Sequence, residues 1–369
     1  MATGSGGVVE RRVVPESGGT FTGDVTVPSL NGGALAGFRN AIINGDFRVA
    51  QRGTSFTGAT VPLNSDDTYL LDRWVLLSDG NDIFDVTQST EAPTNGLYSC
   101  ALDVETTNKK GGILQIIERK NCIGLIGQQV TFSFWAKVSA TTKLDNVKCA
   151  ILAWSSTADT VTSDVVSAWG VEGTNPTLAT NWTYENTPAN LSVTTTWARY
   201  TVTATIDTAS TTNIAVFIWS DVTDTTAGDF LYVTDAQLER GSVATPFERR
   251  PFPVEETLCM YYAEWMGGEA AYQAFGAGGA GTTTTANIPV RYRTQKRVVP
   301  TVSVNTVSSL ATNDGAFSVI ALTVFSADHV SKYGFTCGAT VAAGLTAGQI
   351  ALLYANNNTT VRIKCEAEM

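Results

Sequence analysis

The sequence predicts an all-β chain: a jelly-roll β-sandwich, a smaller C-terminal β domain after it, and an extended N-terminal arm before it. Three observations lead there. Stretches such as "VTFSFWAKVS" (130–139) alternate with a period of two, placing Phe132, Phe134 and Ala136 on one side and Thr131, Ser133, Trp135 and Lys137 on the other. Charged residues are 16% of the 369, against roughly 25% in an average globular domain, and Thr, Ser, Asn and Gly take their place, a composition that suits strands and turns. Helical periodicity is nearly absent between residues 40 and 250.

In chain order, residues 1–39 stand apart. "PESGGTFTGDVTVPSLNGGALAGFRN" is glycine-rich, with short apolar alternation at Phe21, Val25, Val27 and Leu30. This segment has too little apolar surface for a core of its own, so it reads as an arm that orders on a partner, with those four residues as its anchor, or else as a flexible leader. Residues 40–250 form the sandwich. "VKCAILAWSS", "WARYTVTATI", "NIAVFIWSD" and "DFLYVTDAQLE" are further strands, punctuated by turn clusters such as "SDGND", "TNKKGG" and "TDTTAGD". Many strands of similar length in one segment imply two stacked antiparallel sheets. Residues 251–369 open with one helix candidate, "VEETLCMYYAEWM", in which Leu258, Tyr261, Tyr262 and Trp265 share a face and Glu255 and Glu256 lie near the positive N-terminal end. "PTVSVNTV", "FSVIALTVFS", "GQIALLYAN" and "TTVRIKCEAEM" then build the second β domain.

The formal net charge of −10 argues against a nucleic-acid-binding role, since phosphate contacts need clustered Lys and Arg. No apolar run approaches the roughly 20 residues of a membrane span, so membrane insertion is not expected. The first residues lack the apolar stretch of a secretory leader, and the expectation is synthesis in the cytoplasm with release by another route such as lysis. Six scattered cysteines with no CxxC pair read as free buried thiols, not as zinc ligands or a disulfide framework.

"NAIINGDFRVAQRGTSF" (40–56), "DRW" (72–74), "VTFSFWAKVS", "TTTWARYTVTATI", "DAQLERGSVATPFERRP" (235–251) and "ETLCMYYAEW" (256–265) occur in that order. This set resembles a family of tailed-bacteriophage tail-fibre and head-fibre proteins, over about residues 40–266. The middle region is also similar to carbohydrate-binding modules of the jelly-roll kind, in its "NGDF" start, its "SFWAK" strand and its last strand near "LYVTDAQLE". The resemblance implies a virion protein, generally a homotrimer. It implies attachment to a phage tail or capsid protein through the N-terminal arm, and contact with a host-surface polysaccharide or receptor through the distal domains. Location on tail or on capsid stays open, and a glycan-degrading enzyme is a third reading.

Trp154, Trp169, Trp182 and Trp219 lie in Ser/Thr/Asp-rich contexts and are candidates for stacking on a pyranose, with core or subunit packing as the alternative. Trp74, Trp135 and Trp197 belong to the family motifs and read as structural. Similar modules hold a structural calcium near the first and last strands, which makes Asp46 and Asp235 candidate ligands; otherwise Asp46 caps the turn after Gly45 and Asp235 pairs with an arginine. Catalytic residues are not expected. The one histidine, His329, reads as a surface residue of a turn, and no metal-protease, phosphate-loop or nucleotide motif is present.

Overall fold

The computed structural model describes residues 37–59, 62–313 and 318–369; the anchor residues Phe21, Val25, Val27 and Leu30 lie outside them. The sandwich strands are β1 (Ser55–Phe56), β2 (Thr68–Tyr69), β3 (Val75–Ser78), β4 (Phe84–Ser89), β5 (Ser99–Val104), β6 (Gly111–Ile117), β7 (Gln129–Val138), β8 (Val147–Trp154), β9 (Val166–Ala168), β10 (Thr177–Leu178), β11 (Trp182–Tyr184), β12 (Ala198–Thr205), β13 (Asn213–Ser220) and β14 (Phe230–Arg240). They form two six-stranded antiparallel sheets, ordered β1-β4-β5-β14-β7-β12 and β11-β8-β13-β6-β3-β2, with β9 and β10 as a separate hairpin. The expected all-β jelly-roll sandwich is therefore present.

The alternation in β7 works as read. Phe132, Phe134, Ala136 and Val138 meet Ile151, Val216, Ile218, Leu231 and Val233 in the core between the sheets. Burying each large side chain of this kind contributes about 1.5–3 kcal/mol. Phe47 and Trp74 close one end of that core with ring centroids 5.2 Å apart.

The helix after the sandwich, α1 (Phe252–Met260), is shorter than the sequence spacing predicts. Ala263–Met266 is strand β15 instead, paired with Ile363–Glu366 in register Trp265 to Lys364. Available strand partners override the weak helical preference of an aromatic-rich stretch. The face itself was read correctly at its start: Leu258, Tyr261 and Tyr262 pack with Cys259 against Ile43 and Val49 of the sandwich.

The C-terminal domain continues with β16 (Ala274–Ala280), β17 (Thr285–Arg291), β18 (Thr301–Val304), β19 (Leu310–Asn313), β20 (Val319–Ala321), β21 (Val324–Asp328), β22 (Gly334–Thr340), β23 (Ile350–Ala355) and β24 (Ile363–Glu366). Seven strands, ordered β20-β19-β23-β16-β17-β22-β21, curl as a half-barrel, and β15-β24-β18 form a small sheet beside it. All six cysteines are buried and unpaired.

Two polar assemblies fix how the chain enters and leaves the sandwich. The Glu248 carboxylate accepts from the backbone N–H groups of Phe38 and Asn40, and its own N–H donates to Gln237. Arg250 donates to the carbonyls of Asn40 and Ile42 and pairs with buried Glu255. At the domain joint, Arg73 lies 3.6 Å from the Tyr262 ring centroid and pairs with Glu368, while Arg52 pairs with Glu366 at 2.5 Å and Glu368 at 3.2 Å.

Candidate functional site

The "NGDF" turn seats against a β-bulge. Between Thr234 and Gln237 the β14–β7 register slips, and Asp235 takes φ 50°. Ala236 donates its N–H to the Gly45 carbonyl at 2.9 Å. A Cβ on Gly45 would stand 2.1 Å from the Ala236 oxygen, so only glycine fits here. Asn44 ties the turn from inside: its side chain bonds both backbone groups of Val49, and its carbonyl accepts from Trp74 Nε1. These motif residues build a corner.

The corner brings Asp46 and Asp235 together, and arginines occupy them. Arg48 pairs with Asp46 at 2.5 Å, and Arg249 lies 3.6 Å from Asp46 and 3.1 Å from Asp235. Burial pushes the Asp235 carboxyl up to about 6, although Arg249 opposes the shift. Two guanidinium groups against two carboxylates leave no net negative charge for a divalent ion. Among the described residues no cluster of three metal-ligating side chains exists. The residues therefore do not fit a calcium site, and the pairing with arginine is the arrangement found.

The four candidate tryptophans are also brought together, on the outward face of the second sheet. There Trp169, Trp182 and Trp219 join Leu114, Ile116, Leu152 and Phe217 in a second core, with Trp154 packed at its edge. The segment carrying β9 and β10 covers it. Trp219 is 0% exposed and stacks on Phe217 at 4.6 Å; Trp154 and Trp182 pack at 5.5 Å. Lys110 and Lys148, both paired with buried Asp221, hold the cover through Val171 and Asn175. A pyranose needs an open ring face, and these rings give theirs to packing.

The outward face of the first sheet is different. Its lower half is covered by the segment after β14: Arg199 donates to Ser133 and to the Thr245 carbonyl, and Thr131 to the Gly241 carbonyl. The other half is open and aromatic. Phe230 and Tyr232, which alternate with core residues Leu231 and Val233, stack at 5.5 Å with 13° between planes. Trp197 meets Tyr232 edge-on at 6.2 Å. The Lys137 ammonium lies 5.0 Å from the Tyr232 ring centroid and 5.8 Å from that of Trp197, and pairs with Glu91 at 2.9 Å. Glu91 also accepts from Trp197 Nε1 at 3.2 Å. Hydrogen bonds from Lys137 and Trp197 hold the Glu91 carboxyl below its usual range. Asp103 sits opposite Phe230 on β5. Half-buried rings, one cation and carboxylates on a shared face can stack on a sugar ring and bond its hydroxyls. Sequence reasoning assigned Trp197 to structure and passed over Phe230 and Tyr232. The signal was present: in "DFLYVTD" the aromatics fall on the parity opposite to Leu231 and Val233.

His329 is exposed in the turn between β21 and β22, at φ 52°.

No protein-family model matches the sequence, and no curated protein matches it. Among solved structures, the fold is similar to the enzymatically active domain of tailspike protein 4 from bacteriophage CBA120, with a TM-score of 0.33 and 14% identity over 55% of this chain. That match spans 22% of the tailspike chain. A family 4 carbohydrate-binding module is similar with a TM-score of 0.28 and 13% identity, over 54% of this chain and 98% of the module. The CBM22-1 xylan-binding domain of Paenibacillus barcinonensis Xyn10C gives 0.28 and 12%, over 49% and 94%. These are distant likenesses of fold; sheet order and register in this chain define its sandwich independently.

Proposed function

We propose that this chain is a non-enzymatic fibre protein of a tailed-bacteriophage virion, made in the host cytoplasm and attached by its N-terminal arm, residues 1–39, to the tail. In this reading it assembles as a homotrimer and touches host-surface glycan through the open face of the first sheet. The observation that carries the glycan part is the Trp197–Tyr232–Phe230 platform with Lys137 and Glu91 at its edge. The ordered motifs from "NAIINGDF" to "ETLCMYYAEW" support the fibre part. Weak sugar contacts in each of three subunits would gain strength through avidity.

The glycan test is retention on host-surface polysaccharide for the full chain and for Trp197→Ala. Retention that the substitution abolishes supports the platform; retention unchanged by it, or none in either protein, overturns it. The fibre test is solution mass by light scattering, together with antibody labelling of virions. A trimer and label on tails are expected. Label on heads would move the protein to the capsid, and a monomer absent from particles would defeat the fibre reading.

A further inference from the structure

The sandwich leaves one long sheet edge open. Three of its four edge strands, β1, β2 and β11, are two or three residues long. The fourth, β12, runs eight residues beside β7 with no bulge in its register. Ile206 donates to the Gln128 carbonyl and Gly241 to the Gln129 carbonyl, so along β7 the even-numbered residues bond β12 and the odd-numbered ones bond β14. The backbone groups of Tyr200, Val202 and Ala204 therefore serve β7, and those of Arg199, Thr201, Thr203 and Thr205 point away from the sheet. Among the described residues these outward groups have no backbone partner.

Edges of this length ordinarily carry a lysine, a proline, a bulge or a cover. The one charge on β12, Arg199, is instead turned onto Ser133 and the Thr245 carbonyl. The core is open on this side too. Tyr200 and Val202 pack against it and stay partly exposed, while Phe132 and Phe134 on the next strand are fully buried.

The N-terminal arm contains a segment of matching length and pattern. Residues 20–27, "TFTGDVTV", place Phe21, Gly23, Val25 and Val27 on one side and Thr20, Thr22, Asp24 and Thr26 on the other, and Pro28 ends the pattern. Residues 28–36 separate it from Gly37, where the described chain begins. A linker of that length reaches roughly 30 Å when extended, and a strand as long as β12 spans about 26 Å. The chain also enters beside this edge: Arg39 and Arg199 both bond Thr245, the former from Nε to Oγ1 at 2.7 Å.

We propose that residues 20–27 add to β12 of their own chain as a seventh strand of the first sheet, with Phe21, Val25 and Val27 over Tyr200 and Val202. Main-chain hydrogen bonds hold the segment, and the apolar side chains set its register. This docking goes beyond the virion reading and does not rest on it: in the free protein it houses the arm's apolar residues on the sandwich.

The test is hydrogen exchange of the full-length protein, read by mass spectrometry with fragmentation across residues 198–206. The N–H groups of Arg199, Thr201, Thr203 and Thr205 are expected to exchange at least about tenfold more slowly than in the double variant Val25→Asp with Val27→Asp, while those of Tyr200, Val202 and Ala204 do not change. Val8→Asp with Val9→Asp, outside the segment, should leave all of them as in the unaltered protein. Fast exchange at the outward groups of the unaltered protein overturns the proposal. So does protection that survives the change at Val25 and Val27, or protection lost on the change at Val8 and Val9. A crosslink separates the chain's own arm from a neighbour's. Thr26→Cys with Thr201→Cys, treated with a short bis-maleimide, should give an internally linked product of single-chain mass on a denaturing gel; the six native cysteines are buried. Links between chains would assign the edge to a second copy and overturn the docking in cis.

Discussion

Glu368→Gln should destabilise the protein far more than a surface charge change would. The Arg73 side chain is 1% exposed and that of Glu368 8%. Arg73 is further fixed by its bond to the Ile116 carbonyl at 2.7 Å and by the Tyr262 ring. Neutralising Glu368 leaves a buried guanidinium without its counter-charge, and removing one partner of such a pair costs about 3–5 kcal/mol. Arg52 keeps Glu366, so it adds little to the loss. For comparison, Lys109–Asp79 has side chains 40% and 43% exposed, and pairs of that kind contribute about 0–1 kcal/mol. The assay is urea unfolding at neutral pH in low and in molar salt, followed by far-ultraviolet dichroism and tryptophan fluorescence. A shift of several kcal/mol that persists in high salt is expected, since a buried pair is poorly screened. The double change Arg73→Met with Glu368→Leu should recover much of it, because no charge is then stranded. A loss under about 1 kcal/mol, or one that molar salt erases, would refute the view that this joint is a dry ionic lock.

Gly45→Ala should destabilise by about 1–3 kcal/mol or more in urea unfolding, since its Cβ would meet the Ala236 oxygen at 2.1 Å. Trp219→Ala should cost about 3–5 kcal/mol in the same assay, as a fully buried ring is lost. Asp235 gives a pH signature. Burial raises its carboxyl from 3.8 to about 6, so the folded state holds this proton more tightly than the unfolded chain. Its contribution is fully present below about pH 4 and is lost as pH rises through about 6, a change of roughly 3 kcal/mol. Asp235→Asn should therefore flatten the stability profile between pH 4 and 6, which chemical denaturation at several pH values would reveal; an unchanged slope would rule out this group as its source.

Much of the architecture was legible because period-two alternation reports directly which side of a strand is buried. β7 shows the limit of that signal. Phe132 and Phe134 face the inner core as read, yet Thr131 and Ser133 are also buried, because the segment after β14 lies over them. A pattern local to one strand carries no information about a cover arriving from a hundred residues away. The same reason displaced the tryptophans. Trp219 sits on the outward side of β13, where an isolated sandwich would expose it, and only the β9–β10 cover makes it core. Trp197 lies beyond the end of β12 on an uncovered half of the other sheet, so its openness depends on where that cover stops. The helix misread at Ala263–Met266 has a third cause: its partner strand, β24, comes at the far end of the sequence.

The polar clasp at Glu248 and Arg250 has a mechanical consequence. Asn40, where the chain enters the sandwich, and Arg250, where it leaves, are bonded directly to each other. Tension applied between the N-terminal segment and the half-barrel would load this corner, in shear across the hydrogen bonds of Glu248 and Arg250, together with the Arg73–Glu368 and Arg52–Glu366 pairs of the domain joint. The hydrophobic core between the two sheets would carry almost none of it. The sandwich would hang beside the line of force as a lightly loaded side chamber, with the open Trp197–Tyr232–Phe230 face away from the strained corner.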